Sequence, residues 1–392
     1  MDHAGWKNDG RIKLMIIAGT RPELIRLSEI IKKARKYLDT IVVHTGQNDD
    51  YYLREIFYAD LDLAGPEIQL NTRGADLGET LGNILRETYQ VMTGLRPDAV
   101  LVLGDTNSCL SSICAKRLHI PVFHMEAGNR SRDECLPEET NRRIVDTVSD
   151  VNLAYSGQAA ANLAAGGSPS ERIFTVGSPM TEVLMKHRDR IFDNCGILKT
   201  LGLKEKGYIL LSAHREENLD TEKNSARLFH AVNRLAEEYD LPILYSCHPR
   251  AEKRILESGL TLDKRIICHK PLGFCDYNTL QLNAFCVVSD SGTLPEESAF
   301  FASQGHPFPA VSIRLSTERQ EAMEKGCFVL SGIDARGLLQ AVDLSVRLVR
   351  DKGSSGIGEV PAYQDRCVSD KVIRIIQSYT GAVDQMVWRK GS

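Results

Sequence analysis

The sequence predicts an α/β protein of two doubly wound, Rossmann-like domains that face each other across a cleft. The chain has 392 residues, more than one ordinary domain holds. Short, nearly continuous apolar runs recur in both halves, as is typical of parallel strands buried on both faces. Segments of helical length separate the runs, and this alternation of strand and helix is the pattern of doubly wound sheets.

The apolar runs predict strands in a first domain at residues 1–180 and in a second domain at residues 181–365. After a loop at residues 350–363 we expect a last helix at roughly 364–380. Residues 366–392 are then a C-terminal helix and tail, which we expect to pack back on the first domain. The predicted strands are residues 12–19, 40–46, 99–105, 121–126, 151–156, 172–177, 208–214, 242–248, 265–270, 285–292 and 309–314.

Composition favours a soluble protein over one that binds nucleic acid or a membrane. Hydrophobic residues make up 42% and charged residues 26% of the chain, which is ordinary for a globular protein. The net charge of −4 argues against a nucleic-acid or anionic-membrane surface as the partner. The polar start is not that of a signal peptide, and the ten cysteines include no C-x-x-C pair. We therefore expect a cytoplasmic protein with reduced thiols.

Polar residues stand where the predicted strands end, which is the edge at which doubly wound sheets bind their ligands. Chance would place a few polar groups at such ends, but arginine, glutamine, histidine and carboxylate side chains distributed over seven ends favour a ligand cleft. These residues are Gly19 to Arg21, Thr45 to Gln47, Gly104 to Thr106, His124 and Glu126, Ser212 to Arg215, Cys247 and His248, and Ser289 to Gly292.

One strand end runs into a helix and is a candidate anion site. Ser291 and Gly292 precede a predicted helix with Thr293 as its N-cap, and the free N–H groups of a first turn bind phosphate. Glu296 and Glu297 lie in that turn. We expect one of them to serve only the helix dipole and the other to accept hydrogen bonds from a ribose diol.

A second strand end has the same form. Gly19 ends a strand, and Pro22 opens a helix. Arg21 and Arg26 then either reach a diphosphate or are ordinary exposed residues of a helix start. No G-x-G-x-x-G and no G-x-x-x-x-G-K-[ST] motif is present, which disfavours a standard NAD site and a P-loop.

Three carboxylates are expected near one cleft. Asp105 and Glu126 end two strands that we expect to be neighbours, and Glu138 lies at the start of the predicted helix 137–148. Mutual repulsion and burial would raise at least one pKa, as an acid–base catalyst needs. The plainer interpretation pairs Glu138 with Arg142, four residues on. Metal binding is the rival, but a D-x-D pair or a histidine doublet of ligand spacing is missing from the sequence.

The motifs resemble those of the non-hydrolysing UDP-N-acetylglucosamine 2-epimerases, in order and spacing, from about residue 12 to about residue 345. They are GTRPE, HTGQ, GDTNS, HMEAG, PEETNRR, SAHREEN, HPR and SDSGTLPEES. The stretches VLGDTNSC, FHMEAGNR and KPLGFCDYN look closer to a capsule and O-antigen branch that forms UDP-N-acetyl-L-fucosamine.

This resemblance implies a fold like that of the B-type glycosyltransferases (GT-B), with UDP in the interdomain cleft, and usually a homodimer. It implies an isomerase that inverts carbon 2 of a UDP-2-acetamido sugar by eliminating UDP and adding it back, for surface polysaccharide synthesis. No external cofactor and no metal are implied. The partner is the UDP-sugar substrate.

The resemblance also assigns residues, although it leaves open which carboxylate is the base. The implied catalytic set is Asp105, Glu126, Glu138 and His214. UDP binding falls on Arg21, Arg26, Ser291 and Gly292, with Glu297 on the ribose. Candidate contacts to the sugar or to a second nucleotide sugar are Gln47, Arg73, Arg215 and His248.

Four departures from the family pattern bear on function. Arg26 replaces a lysine, and the loop between Glu126 and Pro137 is shorter than in the UDP-N-acetylglucosamine enzymes, which leaves the sugar open. Regulated bacterial relatives carry a second glutamine after TGQ, whereas residues 48–50 here are Asn-Asp-Asp. We therefore expect near-hyperbolic kinetics without activation by UDP-N-acetylglucosamine. The ERPEA of many members reads ERQEA at residues 318–322.

Three other functions fit parts of the pattern. A GT-B glycosyltransferase would bind UDP alike but would need an acceptor and no trio of carboxylates. A hydrolysing epimerase would release UDP and the free sugar. A non-catalytic nucleotide-sugar sensor would not need the intact acids and His214.

Overall fold

The structure is a computed structural model that describes most of the chain, and it divides into two compact units. Unit 1 consists of residues 1–183 and 364–392, and unit 2 of residues 184–363. The described residues are 5–46, 58–194, 196–215, 218, 221–247, 255 and 261–390.

Unit 1 is built on a seven-stranded, all-parallel sheet of order β3-β2-β1-β4-β5-β6-β7. Its central strands are almost entirely buried because helices cover both faces, which explains their continuous apolar sequences. The strands are β1 (Lys13–Ala18), β2 (Asp39–His44), β3 (Ile68–Gln69), β4 (Ala99–Leu103), β5 (Val122–Met125), β6 (Val151–Ala154) and β7 (Ile173–Thr175).

The helices of this part begin at recognisable signals. The first has Thr20 as its N-cap and a proline in its first turn, and Asp76 and Ser156 cap two others through their side chains. The helices are α1 (Arg21–Tyr37), α2 (Leu77–Leu95), α3 (Ser112–Arg117), α4 (Pro137–Val148), α5 (Gly157–Ala165) and α6 (Met180–Lys186), the last of which continues past residue 183 into unit 2.

Unit 2 repeats the plan with a six-stranded parallel sheet of order β10-β9-β8-β11-β12-β13. Its core lies between the sheet and two long amphipathic helices. The strands are β8 (Ile209–Ser212), β9 (Ile243–Ser246), β10 (Ile266–His269), β11 (Cys286–Ser289), β12 (Ala310–Ser312) and β13 (Val329–Leu330). The helices are α7 (Arg188–Phe192), α8 (Gly196–Thr200), α9 (Glu222–Tyr239), α10 (Phe274–Asn283), α11 (Leu294–Ser303), α12 (Gln320–Met323) and α13 (Ala335–Lys352).

The last helix, α14 (Val368–Met386), returns to unit 1 and packs against α1. Its first turn is tied down by Glu182, whose buried carboxylate accepts hydrogen bonds from the backbone N–H and the hydroxyl of Ser369. Lys33 of α1 forms an ion pair with Asp370 at 2.8 Å. The helix begins four residues later and ends six residues later than the predicted span of 364–380, since the structure places it at 368–386.

The predicted fold class is confirmed in its architecture, and each of the eleven predicted runs overlaps a strand of the two parallel sheets. The two strands that were not predicted, β3 and β13, are two residues long and lie at sheet edges. No helix in the described part of the chain is both long and apolar enough to cross a membrane.

Both sheets reverse their strand order at one place, between β1 and β4 in unit 1 and between β8 and β11 in unit 2. In an open parallel sheet, the crevice beyond the carboxyl ends of these two strands is where ligands bind. The residues that follow β1, β4, β8 and β11 are therefore the candidates for contact with a ligand.

Candidate active site

A buried arginine joins two of the predicted catalytic carboxylates in unit 1. Arg142 of α4 donates hydrogen bonds to the carboxylates of Asp105, after β4, and Glu126, after β5. Its second nitrogen donates to the main-chain oxygen of Glu126 at 2.5 Å. Only 2% of the Arg142 side chain is exposed, against 23% for Asp105. The guanidinium lies between the two acids and offsets the mutual repulsion that the sequence predicted.

Arg26 joins the same cluster. Its Nε lies 3.6 Å from Glu126 Oε2, and both side chains are buried. Arg26, which the resemblance assigns to UDP, thus also pairs with a carboxylate of the acidic cluster. We define this cluster as Asp105, Glu126, Arg26 and Arg142, and we call it the carboxylate cluster.

Glu126 has an unusual backbone conformation, with φ of 60°. Left-handed backbone is uncommon for residues other than glycine and often marks functional sites. The turn continues to Gly128, with φ of 79°, whose N–H donates to Asp146 of α4 at 3.1 Å. The carboxylate of Glu126 is therefore aimed by a strained turn that α4 holds in place.

Asp146 is the centre of a second buried network behind this turn. It lies 3.0 Å from His124 Nδ1 and 2.6 Å from an Arg130 nitrogen. The other ring nitrogen of His124 lies 2.7 Å from the main-chain oxygen of Gly104. Burial alone would raise the pKa of Asp146, but the hydrogen bond with His124 and the charges of His124, Arg130 and Arg142 outweigh it and lower that pKa.

Glu138 lies in the first turn of α4, one turn before Arg142 on the same face, and is partly buried. The helix starts at Pro137 as predicted, which places Glu138 on the side of the carboxylate cluster. The neighbouring Glu139 instead pairs with Arg143 at 3.1 Å. Of the three predicted acids, Asp105 and Glu126 both accept hydrogen bonds from Arg142.

In unit 2, the predicted catalytic histidine is held by a buried aspartate across the reversal point of the sheet. His214 follows β8, and its Nδ1 lies 3.1 Å from Oδ1 of Asp290, which follows β11 and is fully buried. Asp290 also accepts hydrogen bonds from the backbone N–H groups of His214 and Arg215 and from the side chain of Asn218. One carboxylate thus holds both the backbone of His214 and Arg215 and the ring of His214.

The start of α11 follows the sequence prediction, with Thr293 at the N-cap and a proline in the first turn. The Thr293 side chain does not cap the helix but exchanges a 2.9 Å hydrogen bond with the hydroxyl of Ser291. A Cβ atom at Gly292 would lie 3.2 Å from Glu318 Oε1, which itself pairs with Arg314. Two charged side chains of unit 2, Glu318 and Arg215, therefore lie next to Gly292.

The two glutamates of this helix have different partners. Glu297, assigned to the ribose, accepts a 2.7 Å hydrogen bond from the buried Gln281 of α10. Glu296 lies 3.5 Å from the fully buried guanidinium of Arg319, which gives the ERQEA stretch a structural role. Both glutamates are thus buried and held by side chains of unit 2.

The remaining predicted contacts lie on loops and helix starts or outside the described residues. Arg73 is exposed in the loop before α2, and Arg21 is the partly buried first residue of α1. Gln47, His248 and residues 48–50 lie outside the described residues. Within the described ranges, no group of three or more His, Cys, Asp or Glu side chains is placed to hold a metal ion.

Sequence reasoning missed the partners that aim the predicted residues: Arg142 as a bridge, Asp146 behind Glu126, and Asp290 behind His214. Arg142 lies 37 residues after Asp105 and 16 residues after Glu126, so no local pattern in the sequence indicates these hydrogen bonds. One signal was available, because Arg142 and Asp146 are four residues apart and so share a helix face. Within unit 1, a carboxylate held in this way can take up or release a proton beside the buried cations, and within unit 2 an oriented histidine can do the same.

Comparisons with known proteins place the chain in a family. The sequence model of the UDP-N-acetylglucosamine 2-epimerases matches residues 31–377. A UDP-N-acetylglucosamine 2-epimerase of Methanocaldococcus jannaschii is 33% identical over 354 residues, which are 87% of this chain and 94% of the relative. A UDP-2,3-diacetamido-2,3-dideoxy-D-glucuronate 2-epimerase of Pseudomonas aeruginosa is 32% identical over 348 residues, which are 87% of this chain and 95% of the relative.

Solved structures agree over nearly the whole length. The UDP-N-acetylglucosamine 2-epimerase of Rickettsia bellii superposes with a TM-score of 0.88 at 40% identity, covering 97% of this chain and 100% of that one. The M. jannaschii enzyme in complex with UDP-GlcNAc and UDP has a TM-score of 0.85 at 32% identity, with 93% and 99% covered. The predicted GT-B-like fold class is thereby confirmed, and the chain belongs to the UDP-N-acetylglucosamine 2-epimerase family.

Proposed function

We propose that this protein inverts carbon 2 of a UDP-2-acetamido sugar by eliminating UDP and adding it back. The proposal depends on the pair of carboxylates, Asp105 and Glu126, which both accept hydrogen bonds from the buried guanidinium of Arg142. Membership of the 2-epimerase family supplies the class of reaction to which such a pair belongs.

The proposed reaction has two stages that balance without a co-reactant. A carboxylate removes the proton from carbon 2 while the bond from carbon 1 to UDP breaks, which leaves a 2-acetamidoglycal. A proton then returns to the opposite face of carbon 2, and UDP adds back to carbon 1. Acid–base assistance of this kind contributes about 10²–10⁴-fold in rate.

We assign the proton chemistry to Asp105, Glu126, Glu138 and His214. The buried carboxylate of Asp290 supports the last assignment, because it orients a histidine ring as an acid–base catalyst requires. Arg26 also belongs to the carboxylate cluster, where it forms a buried ion pair with Glu126.

UDP is assigned to Arg21, Arg26, Ser291 and Gly292, with Glu297 on the ribose. Two features support this assignment: α11 begins immediately after Thr293, and the N-terminus of a ten-residue helix favours an anion. Stabilisation of the leaving diphosphate by such fixed groups supplies much of the remaining acceleration.

The substrate we propose is UDP-N-acetylglucosamine with UDP-N-acetylmannosamine as its epimer, or a 6-deoxy relative that yields UDP-N-acetyl-L-fucosamine for a surface polysaccharide. The bound UDP-GlcNAc of the M. jannaschii structure supports the first, and the P. aeruginosa relative shows that the family accepts other 2-acetamido sugars. We further propose a cytoplasmic homodimer that is not activated by UDP-N-acetylglucosamine.

The test incubates the protein with a panel of UDP-2-acetamido sugars in deuterated water, without any acceptor. We expect deuterium at carbon 2 in a product that still carries UDP, because only reversible elimination exchanges that proton. Free UDP with free sugar would instead identify a hydrolase. No exchange with any sugar of the panel would refute the proposal and leave a glycosyltransferase or a sensor.

The acid assignments are tested by Asp105→Asn, Glu126→Gln and Glu138→Gln. We expect each to collapse turnover while UDP affinity, measured by calorimetry, stays within a few-fold of wild type. Near-normal turnover in all three variants would contradict the assignment.

A further inference from the structure

A buried glutamate spans the reversal point of the sheet in unit 1. The carboxylate of Glu23, in the first turn of α1, accepts the backbone N–H groups of Gly19 at 3.0 Å and Thr20 at 2.8 Å, after β1. Its other oxygen accepts the hydroxyl of Thr106 at 2.9 Å, after β4. Only 2% of Glu23 is exposed. One side chain is therefore bonded to the turns that follow two adjacent strands.

In each of these turns, a residue of the proposed site is the sequence neighbour of a residue that bonds to Glu23. Arg21 follows Thr20, and Asp105 precedes Thr106. The two turns also touch directly, because a Cβ atom at Gly19 would lie 2.0 Å from the hydroxyl oxygen of Ser108. The spacing between the arginine of one turn and the acid of the other is thus set by Glu23 and by this close packing.

We propose that Glu23 is a positioning residue for the epimerase reaction, which fixes the Asp105 turn relative to the Arg21 turn through its hydrogen bond with Thr106. The inference rests on the proposed function for its kinetic consequence and on the geometry alone for its structural one. Glu23 takes no part in proton transfer in this role, since its oxygens are bonded to the backbone and hydroxyl groups of the two turns.

The environment of Glu23 agrees with a structural carboxyl group. Burial raises its pKa, although hydrogen bonds from Thr20, Gly19 and Thr106 oppose the rise. Other groups also hold the Asp105 turn, because Asn141 donates to the main-chain oxygen of Asp105 at 3.0 Å. Loss of the Thr106 bond should therefore loosen the turn without unfolding it.

The test replaces Thr106 with valine, which keeps the shape of the side chain and removes the hydroxyl. Thr88→Val is the matched control, because Thr88 is a buried threonine of α2 whose hydroxyl donates to a main-chain oxygen of its own helix. We expect Thr106→Val to lower kcat about tenfold or more with little change in KM, since displacement of a catalytic group costs up to about 10²-fold. Thr88→Val should keep kcat near that of wild type.

Glu23→Gln separates positioning from chemistry. The amide oxygen can still accept the Gly19 and Thr20 N–H groups, and its NH₂ can donate to the Thr106 hydroxyl, so the link survives. We expect this variant to keep kcat within a few-fold of wild type. Turnover as low as in Asp105→Asn would overturn the proposal, because Glu23 would then act in the chemistry. Equal kcat in Thr106→Val and Thr88→Val would overturn it as well.

A readout that needs no activity distinguishes this inference from the proposed function. Amide hydrogen exchange of the peptide around residues 104–111 should be faster in Thr106→Val than in Thr88→Val. If wild type epimerises no sugar, the proposed function fails, and faster exchange still supports the link between the turns. If exchange is unchanged, the link itself is refuted, whatever the activity.

Discussion

At the residue scale, Arg142 shows how much of the proposed site depends on one buried charge. Arg142→Met should destabilise the protein by about 3 kcal/mol or more, because it leaves the carboxylates of Asp105 and Glu126 without their common partner. The adjacent Arg143 is the control. Its side chain is 46% exposed and pairs with Glu134 and Glu139, so Arg143→Met should cost about 1 kcal/mol or less. Urea unfolding of both variants measures the difference, and equal losses would contradict the assignment.

Asp290 sets the orientation of His214, so Asp290→Asn should lower kcat by about 10²–10⁴-fold while UDP affinity changes little. An asparagine offers one acceptor oxygen where the carboxylate now serves the ring and two backbone N–H groups. The control is Asp240→Asn, an aspartate of the same unit whose side chain is 87% exposed. Steady-state kinetics and calorimetry with UDP check both values. A kcat near that of Asp240→Asn would show that His214 needs no such support.

The lowered pKa of Asp146 predicts a pH dependence of stability. An acid whose pKa is depressed on folding stabilises the native state fully above its unfolded pKa of about 4, and the contribution is lost as pH falls through the folded pKa. Asp146→Asn removes this dependence. The stability difference between wild type and the variant should therefore be largest at neutral pH and shrink below about pH 4. Urea titrations between pH 3 and 7 test it, and a constant difference would be the contrary result.

At the element scale, what the sequence could predict depended on whether the signal was local. The span of α4 was predicted correctly because Pro137 marks its start and an amphipathic pattern fills it. The edge strands β3 and β13 were missed because two residues carry no periodicity. The Arg142 bridge was missed because its partners are distant in sequence. Family motifs supplied the candidate acids, but only the folded structure shows which side chains hold them.

The turn after β5 is the element on which the position of Glu126 depends, and Gly128 is its least replaceable residue. A Cβ atom there would lie 2.2 Å from the main-chain oxygen of Ala159, and φ is +79°. Gly128→Ala should therefore lower the free energy of unfolding by about 2 kcal/mol or more. Gly82→Ala, in the interior of α2 with nothing within 4 Å, should instead stabilise it by about 0.5–1 kcal/mol. Thermal unfolding compares them, and the same sign for both would contradict this account.

At the scale of the whole molecule, a buried carboxylate that bonds the segments after two neighbouring strands occurs once in each unit. Each sheet reverses its strand order once, and at each reversal a buried carboxylate bonds the chain segments after the two strands, Glu23 in unit 1 and Asp290 in unit 2. The crevice at such a reversal has no strand crossing it, so nothing in the sheet itself fixes the loops on its two sides. A carboxylate with several acceptor sites does so within one side chain.

The division into two units predicts that core damage stays local. Ile376 of α14 is fully buried in unit 1, and Leu338 of α13 is fully buried in the core of unit 2. Replacing either with alanine leaves a cavity and should cost about 2–5 kcal/mol. We expect Ile376→Ala to increase amide hydrogen exchange in α1 and α14, because these helices pack on each other, while β8 and β11 keep their protection. Leu338→Ala should do the reverse. Hydrogen exchange with mass spectrometry resolves the two patterns, and a loss of protection spread evenly over both sheets in either variant would show that the two units unfold as one.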